Sequence, residues 1–113
     1  MFLGILRKTG HHILFIADWK YKILIILTQR DKLIGRILSG TSDKNIEFHD
    51  LTGLLDSFTF SCRVKGSHHI FYKEGVKEII NIQPLSNNKA KPYQVKQIRL
   101  LILKYKLNFS DNE

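Results

Sequence analysis

Three segments of strand character lie between Phe58 and Pro84, and the connections between them are only a few residues long. Parallel neighbours need a crossover of a dozen residues or more, so these three can pair only as an antiparallel meander. Phe58–Lys65 alternates cleanly, with Phe58, Phe60, Cys62 and Val64 expected inward and Thr59, Ser61, Arg63 and Lys65 outward. Gly66 permits a tight turn. Ser67–Lys73 is the second strand, and Lys73-Glu74-Gly75 with Val76 forms the next turn. Lys77–Pro84 is the third, with Ile80 and Ile82 on one face and Ile79, Asn81 and Gln83 on the other. Pro84 ends it or confines it to an edge.

Helical periodicity flanks this meander. Phe48, Leu51, Leu54 and Leu55 make one stripe over about Phe48–Asp56, with Gly53 inside it and His49 at its surface or boundary. Pro92 suits a helical first turn, and Val95, Ile98, Leu101, Ile102 and Tyr105 then form a stripe to about Lys106. Lys96, Arg99, Lys104 and Lys106 are expected to stay in water. Leu85–Lys91 reads as a polar, flexible loop, and Asn108–Glu113 as a frayed tail. The order from residue 48 is α-β-β-β-α. The fold class is therefore α+β, with the topology of a double-stranded-RNA-binding domain (dsRBD-like): a three-stranded antiparallel sheet packed on two helices.

Residues 1–30 stand apart. Arg7 and Lys8 precede an apolar stretch, but Asp18, Lys20 and Lys22 interrupt it and the run Ile23–Leu27 is five residues long. Neither a membrane span nor a secretory segment fits. His11 and His12 have no third ligand nearby for a metal. The segment reads as an extra strand or helix, or as an extension ahead of the domain's own start. Asp31 is expected to cap a short helix carrying Leu33, Ile34, Ile37 and Leu38, closed by Ser39-Gly40. The division is thus an extension over 1–30, a domain over 31–107 and a tail over 108–113.

With 113 residues there is room for one modest core, and 43% hydrophobic content argues against wholesale disorder. Residues 57–107 hold ten Lys or Arg against two acids, Glu74 and Glu78, which equals the whole net charge of +8. Charge so concentrated favours a polyanionic partner, nucleic acid ahead of a membrane surface. Cys62 is the one cysteine, so no internal disulfide or cysteine-based zinc site can form. Its phase with Phe58, Phe60 and Val64 makes it a small core residue, suited to a reducing cytoplasm.

His68 and His69 follow the Gly66 turn directly. Successive strand residues point to opposite faces, so one looks toward the helices and the other toward solvent or a partner. An imidazole exchanges protons near neutral pH. Beside RNA it can take the 2′-hydroxyl proton and let that oxygen attack its own phosphorus without a metal, and Lys65 and Lys73 would offset the charge that develops. The alternative is structural, one ring against the core and the other in water.

The segments Arg63-Val64-Lys65-Gly66-Ser67-His68-His69-Ile70-Phe71, Asn81-Ile82-Gln83-Pro84 and Lys89-Ala90-Lys91-Pro92-Tyr93-Gln94-Val95-Lys96-Gln97, in that order, resemble the HicA family, the messenger-RNA-cleaving toxins of HicA–HicB toxin–antitoxin pairs. Leu38–Leu55 also resembles the leader and first helix of one subgroup, so the likeness runs from about Asp31 to Leu107. It implies a dsRBD-like fold, ribonuclease activity without a metal or other cofactor, mRNA as substrate and a HicB-type antitoxin over the active face. The family's catalytic histidine ends its Gly-Ser-X-His motif, which here places it at His69, with Gly66, Ser67 and His68 in support. Two departures stand out: the first thirty residues have no counterpart, and Ser86-Asn87-Asn88 replaces frequent glycines.

The expected function is a growth-inhibiting endoribonuclease toxin, with Arg63, Lys65, Lys73, Lys91 and Lys96 on the phosphate backbone and Tyr72 and Tyr93 as candidate stacking residues. One alternative is a non-catalytic RNA-binding module on the same fold, which needs the basic surface but not His69. Another is a chain that works mainly as a protein-binding partner.

Overall fold

A computed structural model describes residues 10–109. Its elements are helix α1 (Gly10–Ser39), a 3-10 turn (Asp43–Asn45), helix α2 (Phe48–Ser57), strands β1 (Ser61–Lys65), β2 (His68–Lys73) and β3 (Val76–Ile82), and helix α3 (Pro92–Tyr105). The sheet is antiparallel in the order β1-β2-β3. The expected α-β-β-β-α order is therefore what the chain adopts from Phe48 onward.

The chain divides into two compact units, 1–32 and 33–113. Arg7 and Lys8 lie outside the described residues. What is described of the first unit is helix. Asp18 and Lys22 pair at 3.2 Å across one turn, and Trp19, Tyr21 and Leu24 are exposed. The expected cap at Asp31 is not there, because α1 runs through that position without a break. No proline interrupts residues 10–39, so the backbone has no reason to stop at an aspartate that its helical neighbours can carry. Among the described residues no helix is long and apolar enough to cross a membrane.

In the second unit, α1 ends as its sequence suggests. Gly40 takes a left-handed φ of 72°, and its N–H donates to the Ile37 carbonyl at 3.3 Å. Ile37, Leu51, Leu54, Leu55, Phe71, Ile80, Ile82, Val95 and Ile98 are buried in one apolar core between sheet and helices. Ile80 and Ile82 face inward and Ile79 outward, as alternation requires.

Five expectations change. Phe58 and Phe60 are buried but precede the strand. Phe58 caps α2, and Thr59, at φ 65°, turns the chain before β1 begins. Cys62 is not a core residue. The register places it with Val64, Phe71 and Ile80 on the helix side of the sheet, yet both Cys62 and Val64 are exposed. The core is built on β2 and β3, and β1 projects beyond it as an edge. What burial Cys62 has, with the nearby Asp56 carboxylate as the smaller cause, still raises its thiol pKa.

Arg99 is not a wetted lysine-like charge. Its guanidinium donates to both Asp43 carboxylate oxygens at 2.9–3.2 Å and to the Ile37 carbonyl at 3.0 Å, with both side chains mostly covered. The 85–91 loop is likewise structured. Ala90 N–H donates to Ile46 O, Phe48 N–H donates to Asn88 O, and Lys89 pairs with Glu47. Asn88 adopts φ 65°, a left-handed conformation that asparagine accepts more readily than most residues, which is how the loop turns without glycine. At the far end, Phe109 stacks on Phe58 with ring centroids 5.3 Å apart instead of fraying.

Glu78 ties β3 to α3. It accepts from Lys104 Nζ at 2.7 Å and from the Tyr105 hydroxyl at 2.6 Å, and these bonds lower its pKa to about 2 from 4.5. A lowered folded-state pKa contributes stability that is complete above the unfolded value and disappears as pH falls through the folded one. Stability should therefore decline between pH 4.5 and pH 2 more steeply in the wild type than in Glu78→Gln, read from urea midpoints across that range. Arg99→Ala should lower stability by about 2 kcal/mol by leaving Asp43 and the Ile37 carbonyl covered without a partner, with Arg99→Lys intermediate. Urea unfolding of the three proteins checks this.

Candidate active site

The Gly66-Ser67 turn sets the histidines. Gly66 takes φ 62°, and Lys65 and His68 pair across the two-residue turn. His68 lies on the outer face of the sheet, exposed, with its Nδ1 donating to Asn81 Oδ1 at 3.0 Å. His69 lies on the helix side. Its Cα partners are the fully buried Ile82 on β3 and the exposed Val64 on β1, so it sits where the core gives way to solvent.

Two contacts orient the His69 ring. Phe48, the first residue of α2, meets it edge-on with ring centroids 5.0 Å apart and planes at 74°. Its Nδ1 lies 3.3 Å from the Ser67 carbonyl oxygen. A carbonyl can only accept, so Nδ1 carries the proton in this contact, and in the neutral ring Nε2 is left as the lone-pair nitrogen. The ring is half-buried. With Nδ1 as the donor, a neutral ring carries its lone pair on Nε2 at the edge of a packed sheet.

Phe48 is itself held. Its backbone N–H donates to Asn88 O at 3.0 Å, and Glu47 and Lys89 form a β-bridge beside it. On the other side, Gln94 is buried at the start of α3. Its side-chain amide accepts from Gln83 N–H and donates to Asn81 O, both at 3.4 Å. Those two backbone groups flank Ile82, the strand partner of His69. Gln94 thus meets the outer edge of β3 much as another strand would. Both Phe48 and Gln94 escape a reading of motifs. Phe48 shows only as one position of a core stripe, and Gln94 is a polar residue whose burial no periodicity signals.

The basic candidates do not form one cluster. Lys65 closes the β1–β2 turn beside His68, and Lys91 opens α3 three residues before Gln94, so both lie at the His69 end of the sheet. Arg63 is on the outer face of β1, opposite Ile70. Lys96 is exposed on α3, and Tyr93, also exposed, precedes it. Lys73 lies at the other end of β2, four residues and about 13 Å from His69 at an extended rise. There it donates to the Phe58 carbonyl and to Thr59 Oγ1, so it holds the turn entering β1 and does not flank the histidines. Tyr72 is exposed on the outer face. Among the described residues no three His, Cys, Asp or Glu side chains group together to hold a metal.

A family model described as the HicA toxin of bacterial toxin–antitoxin systems matches residues 54–105. Those 52 of the 113 residues are similar to a HicA toxin domain. They include the whole sheet, both histidines and α3 through Tyr105. No curated protein and no solved structure matches the chain. The His69 end of the sheet is defined from both flanks: Phe48 precedes the matched span, and Gln94 falls within it.

Gln94→Ala should cost about 1–2 kcal/mol, because Asn81 O and Gln83 N–H lose their side-chain partner beneath a covered surface. The same change should speed amide exchange at Gln83 while leaving that of Arg63, on the remote strand, unchanged. Exchange measured by NMR on both proteins tests it.

Proposed function

We propose that this chain is a HicA-type toxin, a metal-independent endoribonuclease that cleaves mRNA in the cytoplasm, with His69 as its general base. The observation that carries the reading is the Nδ1–H contact to the Ser67 carbonyl, which leaves Nε2 as the proton acceptor on a half-exposed ring. Nε2 takes the proton of a 2′-hydroxyl. The freed oxygen forms a bond to the adjacent phosphorus as the bond from phosphorus to the 5′-oxygen breaks, leaving a 2′,3′-cyclic phosphate. The departing 5′-oxygen receives a proton from the imidazolium or from water. General base help of this kind is worth about 10²–10⁴-fold.

Lys65 and Lys91, at the same end of the sheet, hold the flanking phosphates in this reading, with Arg63 and Lys96 extending the basic path. Such contacts position the backbone without reading sequence, and base preference comes from splayed single-stranded nucleotides. Gly66 and Ser67 act through backbone, one by turning and the other by accepting from His69. His68, bonded to Asn81 on the far face, steadies the strand. Lys73 contributes through structure. A HicB-type antitoxin silences the toxin by covering the His69 end.

His69→Ala should lower cleavage of a single-stranded RNA at least 100-fold while RNA affinity stays within a few-fold of wild type. RNA carrying a 2′-deoxy nucleotide at the cut should resist the wild-type protein. Cleavage and affinity falling together in a folded His69→Ala protein would overturn the assignment and leave a binding module. Cleavage of the 2′-deoxy site would exclude attack by the 2′-oxygen.

A further inference from the structure

The open edge of β1 has no role in the chemistry above. All five of its residues are exposed, and among the described residues no strand lies beyond it in the sheet. The two-residue turn makes Lys65 and His68 a hydrogen-bonded pair, and alternation repeats that pairing at Arg63 with Ile70 and at Ser61 with Tyr72. The N–H and C=O groups of Cys62 and Val64 are then directed away from β2, toward the open edge. The same two residues expose their side chains on the helix side of the sheet. An edge with two free donors, two free acceptors and uncovered apolar side chains is built to accept another strand.

Charge selects the occupant. The outer face of β1 carries Arg63 and Lys65, while Asp56 lies near Cys62 on the helix side. Charge disfavours a second copy of this chain in two of the three antiparallel registers centred within Cys62–Val64, the exception being the one centred on Cys62. Antiparallel self-pairing centred on Arg63 sets Arg63 against Arg63, and pairing centred on Val64 sets Arg63 against Lys65. Like charges directly opposite one another are destabilising.

We propose that the antitoxin adds a strand to the β1 edge, with acidic side chains beside Arg63 and Lys65 and apolar ones over Cys62 and Val64. This rests on the toxin reading and says how the site is silenced. Val64 is the direct cross-strand neighbour of His69 and forms its open flank, since Ile82 closes the other. The added strand lies about 4.8 Å beyond β1. Its apolar side chains cover Val64 and close the approach that RNA would use to reach Nε2.

Cys62→Pro tests the backbone directly. It removes an N–H that points to the open edge and leaves the β1–β2 ladder intact, whereas Cys62→Ala keeps the N–H and changes only the side chain. With a HicB-type antitoxin as the probe, affinity should fall at least tenfold for Cys62→Pro and stay within about threefold for Cys62→Ala. Both variants should cleave RNA as the wild type does. In the wild-type complex, the Cys62 and Val64 amides should become protected from exchange, while Arg63 is protected with or without the partner.

Undiminished binding by Cys62→Pro, or Cys62 and Val64 amides that exchange as fast in the complex as in the free toxin, would overturn the proposal. The exchange measurement decides the matter even where the proline variant does not fold. A wild-type protein that neither arrests growth nor cleaves RNA would defeat the ribonuclease reading alone, because amide protection in the complex reports on the edge regardless.

Discussion

The tertiary arrangement of the second unit turns on Arg99. Its guanidinium reaches from α3 to the carbonyl end of α1 and to Asp43 in the following turn, so one planar donor joins α3 to a stretch distant in sequence. Gly40 completes the fit. A Cβ there would sit 3.3 Å from Arg99 Nη1, and the backbone at φ 72° already disfavours one. A mostly covered ion pair is weak evidence for net stability, since desolvation offsets much of the attraction. What it supplies is position. The fork geometry accepts one arrangement of Asp43 and Ile37, and that arrangement delivers the chain to Ile46 and Phe48 in the right place.

From Phe48 the constraint passes to the candidate site. The 85–91 loop clamps the start of α2, Phe48 supports the His69 ring, and Gln94 holds the end of β3 on the other side. A single weakly basic side chain achieves little unless its tautomer and direction are set in advance. Here both follow from packing and one carbonyl. The sheet itself is asymmetric. β2 and β3 are covered by helices, while β1 stands out with its edge and its apolar side chains bare. That asymmetry leaves His69 half open, and it gives a protein partner a natural way to close it.

Much of this was legible in order. Short connections forced an antiparallel meander, and the Phe48–Leu55 and Val95–Ile102 stripes located the covering helices. The errors share one cause. Alternation reports which face a strand residue points to, but not whether anything lies over that face, so Cys62 and Val64 were in phase with the core and outside it. Lysine and arginine at helix surfaces look alike in a sequence, yet Arg99 found Asp43 across 56 residues while Lys96 remained in water. Asn88 and its neighbours read as a flexible loop because their bonds go to residues 46–48, and no local pattern records a partner forty residues away.

Local sequence by itself determined the α-β-β-β-α order from Phe48 onward, the turns at Gly66 and Gly75, and the separation of His68 from His69 onto opposite faces. These follow from backbone sterics and the two-residue strand period, which need no partner. Only the tertiary structure decided that His69 meets Phe48 and rests at a half-open boundary. It also decided that Lys73 serves a turn, that Gln94 borders a strand, and that β1 is left uncovered. Each of these depends on which surfaces the helices occupy once the core has closed, and that is settled by long-range packing and desolvation.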